Sequence, residues 1–337
     1  MSAKTGKFVI WTIGDGRTGI ENQVQGLAEA IGDMLPVEIK NITAPRPSLL
    51  TLFKAKKPLP EMLEPWPDVV IGCGQGSIPY TIAMRKWSNG KTLTVQLQSP
   101  RRKSRLFDLI IAPQHDRLKG DNVLSIVGAT NRISEEKLLQ AKEKFKERIA
   151  ELPGPRLAVI IGGNSKRHKL TKELFKDLMG KLLSLSNQSI SLLITTSRRT
   201  PGFVKRGLRR KFKKNKNVWL WIDSKNDGDN PYFAFLSVAN AVVVTSDSTN
   251  MLTDAASAGK PVLMFRLDGN DGKFSDLHEE LEKQNYVHPF TGAISTWPVE
   301  PLNETRRAAE EVLRRYYSKL KAAQHQDGDK SASDISD

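Results

Sequence analysis

Apolar, β-branched runs alternate with amphipathic helical patterns along this chain, and the alternation stops and restarts near residue 150. A strand with no polar alternation must be buried on both faces, so its sheet needs helices on each side. Strand, helix, strand in succession then means a parallel sheet with crossover helices. In the first series, Phe8–Ile13 reads as a buried strand ending at Gly14. The segment 21–35 follows, with Val24, Leu27, Ala28, Ile31 and Leu35 on one helical face. Asp68–Ile71, Leu93–Gln98 and Phe107–Ala112 read as further strands, and the series runs to about Val127.

Residues 134–151 form a charged helix, with Ser134 as its cap and carboxylates in its first turn. The sequence LPGPR after it reads as a hinge. The second series has strands at Arg156–Ile161, Ser191–Thr195, Val218–Ile222, Ala241–Thr245 and Pro261–Phe265. Helices fall between them at 171–185, 201–214, 231–239 and 249–258, with a last one at 303–320. The tail 321–337 is polar, lacks periodicity and reads as disordered. Two such series predict two facing Rossmann-like domains with a central cleft, 1–150 and 151–302, with helix 303–320 packing back toward the N-terminal domain.

In open parallel sheets, ligands sit beyond the carboxyl ends of the strands, so chemistry is sought in the loops there. Gly162-Gly163-Asn164-Ser165 follows a strand and precedes a helix; its glycines would let backbone amides approach phosphate oxygens, or would simply make a tight turn. Thr196-Ser197-Arg198-Arg199 follows the next strand and gathers hydroxyls and two guanidiniums, which pair bidentately with phosphate. The alternative for that loop is a helix cap with two solvated arginines. Ser246-Asp247-Ser248 follows a third strand, and Asp254 falls one or two turns into the helix behind it, where a carboxylate can accept two ribose hydroxyls.

The N-terminal half has matching loops. Gly14-Asp15-Gly16-Arg17-Thr18-Gly19 carries only the first part of a dinucleotide fingerprint. Gly72-Cys73-Gly74-Gln75-Gly76-Ser77, Ser99-Pro100-Arg101 and Ala112-Pro113-Gln114-His115-Asp116 should lie on the same edge. His115 is the one histidine at a strand end with an acid beside it, suited to a general base or a phosphate donor, and equally to capping a loop. His168, His278, His288 and His325 have no supporting context, and the acids at 223, 227 and 229 read as a solvated turn rather than a metal site. The spacing predicts no metal centre and no bound cofactor.

The segments WTIGDGRTGIENQVQGLAEAIG, SPRRKSRLFDLIIAPQHD, VGATNRIS, IIGGNSK, TTSRRTP and NPYFAFLSVANAVVVTSDSTNMLTDAASAGKPV resemble, in the same order, the mitochondrial-fission "elongated mitochondria" family, known from plants and common in bacteria. More distantly, the C-terminal loops look like those of the lipid-linked N-acetylglucosaminyltransferase of peptidoglycan synthesis and its GT-B relatives. The resemblance implies a GT-B-like α/β fold with an acceptor-side domain first and a nucleotide-side domain second. It implies that Asp254 binds the nucleotide ribose, that Gly162 and Gly163 hold the diphosphate, and that Gly14, Gly16 and Gly19 belong to the acceptor-side loop. One position departs from the pattern: Ile20 stands where the family places a histidine, which leaves Asp15 and His115 as candidates for the base.

Three functions follow for comparison. The first is a metal-independent glycosyltransferase that takes a nucleotide-sugar such as a UDP-sugar and moves the sugar to a hydroxyl, on a lipid-linked or cell-envelope acceptor. Gly162, Gly163, Ser165, Thr196, Ser197, Arg198, Arg199, Ser246, Asp247, Ser248 and Asp254 would hold the donor. Gly14, Gly16, Arg17, Gly19, Gly74 and Gln75 would line the acceptor side. The second is a non-catalytic, membrane-peripheral adaptor that recruits a dynamin-like protein partner, as the resemblance implies. The third is nucleic-acid binding, which the shortage of aromatics among the basic residues argues against.

The net charge of +15 favours anionic partners. Pro47–Leu63 mixes leucines and phenylalanine with lysines, as an interfacial segment would, and Arg101, Arg102, Lys103 and Arg105 add charge. The run at 205–216 holds eight basic residues and reads first as a solvated helix face. The start, Met1–Lys7, is polar and the apolar run behind it breaks at Gly14, too early for a secretory leader. A single cysteine, Cys73, fits a reducing compartment. These features predict a cytoplasmic chain whose membrane contact is peripheral, on an inner membrane face.

Overall fold

Alternating strands and helices do build two parallel sheets. A computed structural model of the chain describes residues 7–45, 55 and 57–333. One unit holds the chain up to Arg132 together with everything from Asn303; the other is Ile133–Leu302.

The first unit contains β1 (Phe8–Gly14), α1 (Thr18–Gly32), β2 (Val37–Thr43), β3 (Val69–Cys73), α2 (Ile78–Trp87), β4 (Leu93–Leu97), β5 (Leu109–Pro113) and β6 (Val123–Ile126). All six strands are parallel, in the order β2-β1-β3-β4-β5-β6. The inner strands β3, β4 and β5 are buried at every position, as their unbroken apolar runs require. β2 is an edge strand, and its Glu38, Lys40 and Asn41 break the apolar run that would have announced it. Of the Pro47–Leu63 segment, residues 47–54 and 56 lie outside the described residues; Met62 is buried and Leu63 is exposed.

The second unit contains α3 (Glu135–Lys144), α4 (Lys146–Ala150), β7 (Arg156–Ile161), β8 (His168–Lys169), α5 (Lys172–Ser186), β9 (Ser191–Thr196), α6 (Gly202–Phe212), β10 (Val218–Trp221), α7 (Ser224–Asp227), α8 (Tyr232–Val238), β11 (Ala241–Thr245), α9 (Thr249–Ser257), β12 (Val262–Phe265), β13 (Asp268–Gly269), α10 (Phe274–Lys283) and β14 (Val287–Pro289). Its main sheet is parallel, in the order β10-β9-β7-β11-β12-β14. A two-stranded ribbon pairs β8 with β13.

The unit boundary lies at residue 132, not 150. The charged helix predicted for 134–151 is α3 and α4, and α3 packs on α8 of the second unit. Phe145 meets Trp219 edge to face, and Lys144 pairs with Asp229. LPGPR is not a free hinge: Leu152 is fully buried, Ser191 donates to the Pro153 and Pro155 carbonyls, and Arg156 donates to the Leu152 carbonyl. Charge and a Pro/Gly pair suggested a linker, but backbone groups already bonded inside one unit cannot act as one.

The last helix, α11 (Glu304–Ser333), belongs to the first unit. Ala308, Ala309, Val312 and Tyr316 are buried with the apolar face of α1. The Tyr316 hydroxyl donates to Asp68 Oδ1 at 2.6 Å, while Asp68 Oδ2 accepts the Val9 amide. α11 continues through Lys321–Ser333, where disorder was expected. Propagating a nucleated helix needs no apolar stripe, so lost periodicity marks the end of packing rather than of the helix.

In each sheet the chain winds first one way and then the other from its central strand. The switch lies between β1 and β3 in the first unit and between β7 and β11 in the second. At such a point the flanking loops diverge and leave room for a ligand.

Candidate functional site

At the β7/β11 switch, three loops are bonded into one cluster. The Gly162 amide donates to Thr245 Oγ1 at 2.7 Å, and the Gly163 amide donates to Asp247 Oδ2 at 3.0 Å. Thr245 Oγ1 donates in turn to Asp247 Oδ1, and the Arg199 guanidinium lies 2.7 Å from Asp247 Oδ2. The Asn164 amide donates to the Arg199 carbonyl. The Thr200 hydroxyl lies against the carbonyls of Ile161 and Gly162. The glycines are required: a Cβ at Gly162 would collide with the Asp247 carboxyl, and one at Gly163 with the Arg199 backbone.

The glycine amides expected to hold a diphosphate are bonded within the chain, to Thr245 and to the buried Asp247 carboxylate, with which Arg199 also pairs. Sequence patterns show a glycine loop but not the in-chain acid that fills it. What remains outward is Arg198, which is exposed and makes no ion pair or hydrogen bond among the described residues. Its neighbour Arg199 ties it to Asp247, one residue before Ser248. Ser248 caps α9, accepting the Met251 amide. Ser246 is buried and accepts the Leu267 amide; Ser197 accepts the Arg199 amide; the Thr196 hydroxyl is buried and has no hydrogen-bond partner among the described residues.

Asp254 lies in the second turn of α9 and is partly buried. The Tyr232 hydroxyl, at the start of α8, donates to its Oδ2 at 2.9 Å. Burial pushes the Asp254 carboxyl up to about 7, against the lowering effect of that hydrogen bond. The carboxyl expected to hold a ribose therefore already has a phenol on it, a partner that a separation of 22 positions hides from sequence reasoning.

Two histidines without context in the sequence converge on one acid beside the glycine loop. His168 Nε2 is 2.7 Å from Asp271 Oδ1 and His278 Nδ1 is 3.5 Å from Asp271 Oδ2; both rings are buried. Arg266 also faces Asp271. Burial raises the Asp271 carboxyl, but the His168 hydrogen bond and the surrounding charges outweigh it and hold it below the usual range. Ser165 accepts the amides of Arg167 and His168 and so closes the loop. No three His, Cys, Asp or Glu side chains among the described residues gather as metal ligands. Asp223 caps α7 and, with Asp227, pairs with Arg209.

At the β1/β3 switch of the first unit, an in-chain acid again fills the glycine loop. The Gly16 amide donates to Glu21 Oε1 at 2.7 Å, and a Cβ at Gly14 would collide with the Glu21 carboxyl. Asp15 is held by Arg17, whose Nη2 is 2.6 Å from Oδ2. Burial raises the Asp15 carboxyl, but the Arg17 hydrogen bonds and charge prevail and keep it below the usual carboxylate range. That makes Asp15 a weak base. Gly74 approaches Asp15 closely and takes the left-handed backbone; Gln75 is exposed; Gly19 is the second residue of α1. His115 is buried in a single 3₁₀ turn after β5, and the neighbouring Asp116 accepts the Ser99 amide. Ile20 is a core residue, packed with Val24 and Leu27.

A family model described as mitochondrial fission ELM1 matches residues 18–316. The chain belongs to that family. It is 29% identical to the mitochondrial fission protein ELM1 of Arabidopsis thaliana over 274 residues, covering 74% of this chain and 64% of that protein's length. An uncharacterized protein of Rickettsia prowazekii is 30% identical over 346 residues, 89% of this chain and 96% of its own. Among solved structures, UDP-GlcNAc 2-epimerase of Methanocaldococcus jannaschii superposes with a TM-score of 0.54 at 12% identity, over 91% of this chain and 92% of that one. A putative UDP-N-acetylglucosamine 2-epimerase of Listeria monocytogenes gives 0.50 at 13% identity, over 94% and 91%. The chain thus has a mixed α/β fold of the GT-B-like kind. No helix among its described residues is long and apolar enough to cross a membrane.

Proposed function

We propose that this ELM1-family chain binds a nucleoside diphosphate-sugar at the β7/β11 edge of its second unit and transfers the sugar to an acceptor hydroxyl without a metal. The observation that carries this reading is Arg198. Every other charged group of the three-loop cluster is already neutralised, so the exposed guanidinium is left to meet an anion. α9 begins two residues after the Asp247 that anchors Arg199, and its N-terminal dipole adds to the attraction. Asp254 would accept ribose hydroxyls once Tyr232 moves aside. The fold shared with UDP-GlcNAc 2-epimerases supports a UDP-sugar as the ligand class. In transfer, charge builds on the departing diphosphate, and Arg198 with the α9 amides would stabilise it. Of the two candidates for the base, Asp15 is held by Arg17, which leaves His115.

A second reading has its own observation. Ile20 fills the core at the position where the resemblance expects a histidine, so a binding protein that recruits a partner without turnover also fits. Thermal-shift measurements against UDP, UDP-sugars and other nucleotides, repeated on Asp254→Ala, test the shared claim. No stabilisation by any nucleotide would refute both the donor site and the transfer. Stabilisation without transfer or hydrolysis in a product assay would favour the second reading.

A further inference from the structure

From Leu178 to Ile222 the chain contains no acidic residue, and within that span α6 and the turn after it carry Lys205, Arg206, Arg209, Arg210, Lys211, Lys213, Lys214 and Lys216. The apolar side of α6 is used up: Val204, Gly207, Leu208 and Phe212 are buried in the second unit's core. The other side points to solvent, with Arg206, Arg210, Lys211, Lys213, Lys214 and Lys216 all exposed. Arg209 alone is neutralised, by Asp223 and Asp227. The six exposed cations make no ion pair among the described residues.

Helix-end electrostatics do not explain so many. One or two cations near the last carbonyls satisfy a helix C-terminus, and the attraction dies within a turn. Self-repulsion among six unpaired charges is a cost that a purely structural face would avoid by interleaving acids. The patch also lies away from the nucleotide edge. α6 starts at that edge, just after Pro201, and its eleven residues carry the chain ~16 Å toward the opposite edge, where β10 begins.

We propose that the α6 face with its following turn is an electrostatic docking surface for a bilayer rich in acidic lipid headgroups. Four to eight cations on the polar side of an amphipathic helix suit such a surface, which asks only for dense positive charge on one side. The headgroups are the contact, since the apolar side of α6 is committed to the core. A nucleic acid is the poorer fit, because no aromatic side chain is exposed in this segment on which a base could stack. The surface is independent of the nucleotide reading and stands or falls by itself.

The test is co-sedimentation of the full chain with phosphatidylserine-containing vesicles and with pure phosphatidylcholine vesicles, at low salt and at about 0.5 M, where screening is strong. Binding to acidic vesicles alone, lost at high salt, is expected. Each removed cation should weaken it about 5-fold, so Arg206→Ala, Arg210→Ala, Lys213→Ala and Lys214→Ala together should lower it by at least ~100-fold with the melting temperature kept. Arg206→Lys with Arg210→Lys should bind as the parent does, because charge rather than guanidinium geometry is read. The proposal is overturned by absence of binding to acidic vesicles at low salt, or by undiminished binding of the quadruple variant. Tight binding to single-stranded RNA without vesicle binding overturns it as well.

Discussion

Asp247 and Asp254 are seven residues apart, yet their environments give them different tasks. The Asp247 side chain is fully shielded and joins the Gly163 amide, the Thr245 hydroxyl and the Arg199 guanidinium. Replacing it with alanine leaves all three short of a partner, so Asp247→Ala should lose about 3 kcal/mol or more of unfolding free energy in urea titration. Asp254 has one bonded neighbour, and burial lifts its carboxyl to about 7. A carboxyl raised in the folded state stabilises fully below its unfolded value near 3.8, and that contribution is lost as pH rises through about 7. Relative to Asp254→Asn, the parent chain should therefore become progressively less stable between those values, as read by melts across the series; parallel curves would show that Asp254 is ionised throughout. The sequence showed which residue types line the strand ends. It did not show which of them are spent on each other, because Gly163–Asp247 and Tyr232–Asp254 are tertiary pairings that no local spacing reveals.

At the scale of elements, apolar runs were legible wherever a strand is buried on both faces, as in β3, β4, β5, β7 and β11. β2 and β14 were missed because an edge position lets polar residues interrupt the run. The fit between loops is just as local. Gly163→Ala would drive a methyl into the Arg199 backbone, and a cost of about 1–3 kcal/mol is expected in denaturant titration. α11 divides into a part that packs and a part that does not. Removing the phenol in Tyr316→Phe takes a hydrogen bond from the Asp68 carboxylate and should lower stability by about 1.5–3 kcal/mol. Ala323, Gln324 and His325 are exposed, so cutting the chain after Ala322 should leave the melting temperature unchanged.

On the scale of the whole molecule, the two units differ in how the chain makes them. The second is one continuous segment with its own apolar core, whereas the first is completed only by α11 from the far end of the chain. Residues 133–302 produced alone should fold cooperatively in a thermal melt, while 1–132 alone should expose the α1 face that α11 covers and fail to do so. The paired series of strands and helices made a two-unit α/β chain readable in advance, but the boundary was placed at 150 because the charge of α3 hid its attachment to α8. The central claim is that Arg198 is the open anion contact of the three-loop cluster at the β7/β11 edge. Titration calorimetry with UDP measures it: the parent chain should bind, and Arg198→Ala should bind about 10–100-fold more weakly, as loss of a charged hydrogen bond predicts. Equal affinity in the two proteins, or no heat of binding in either, would contradict the claim.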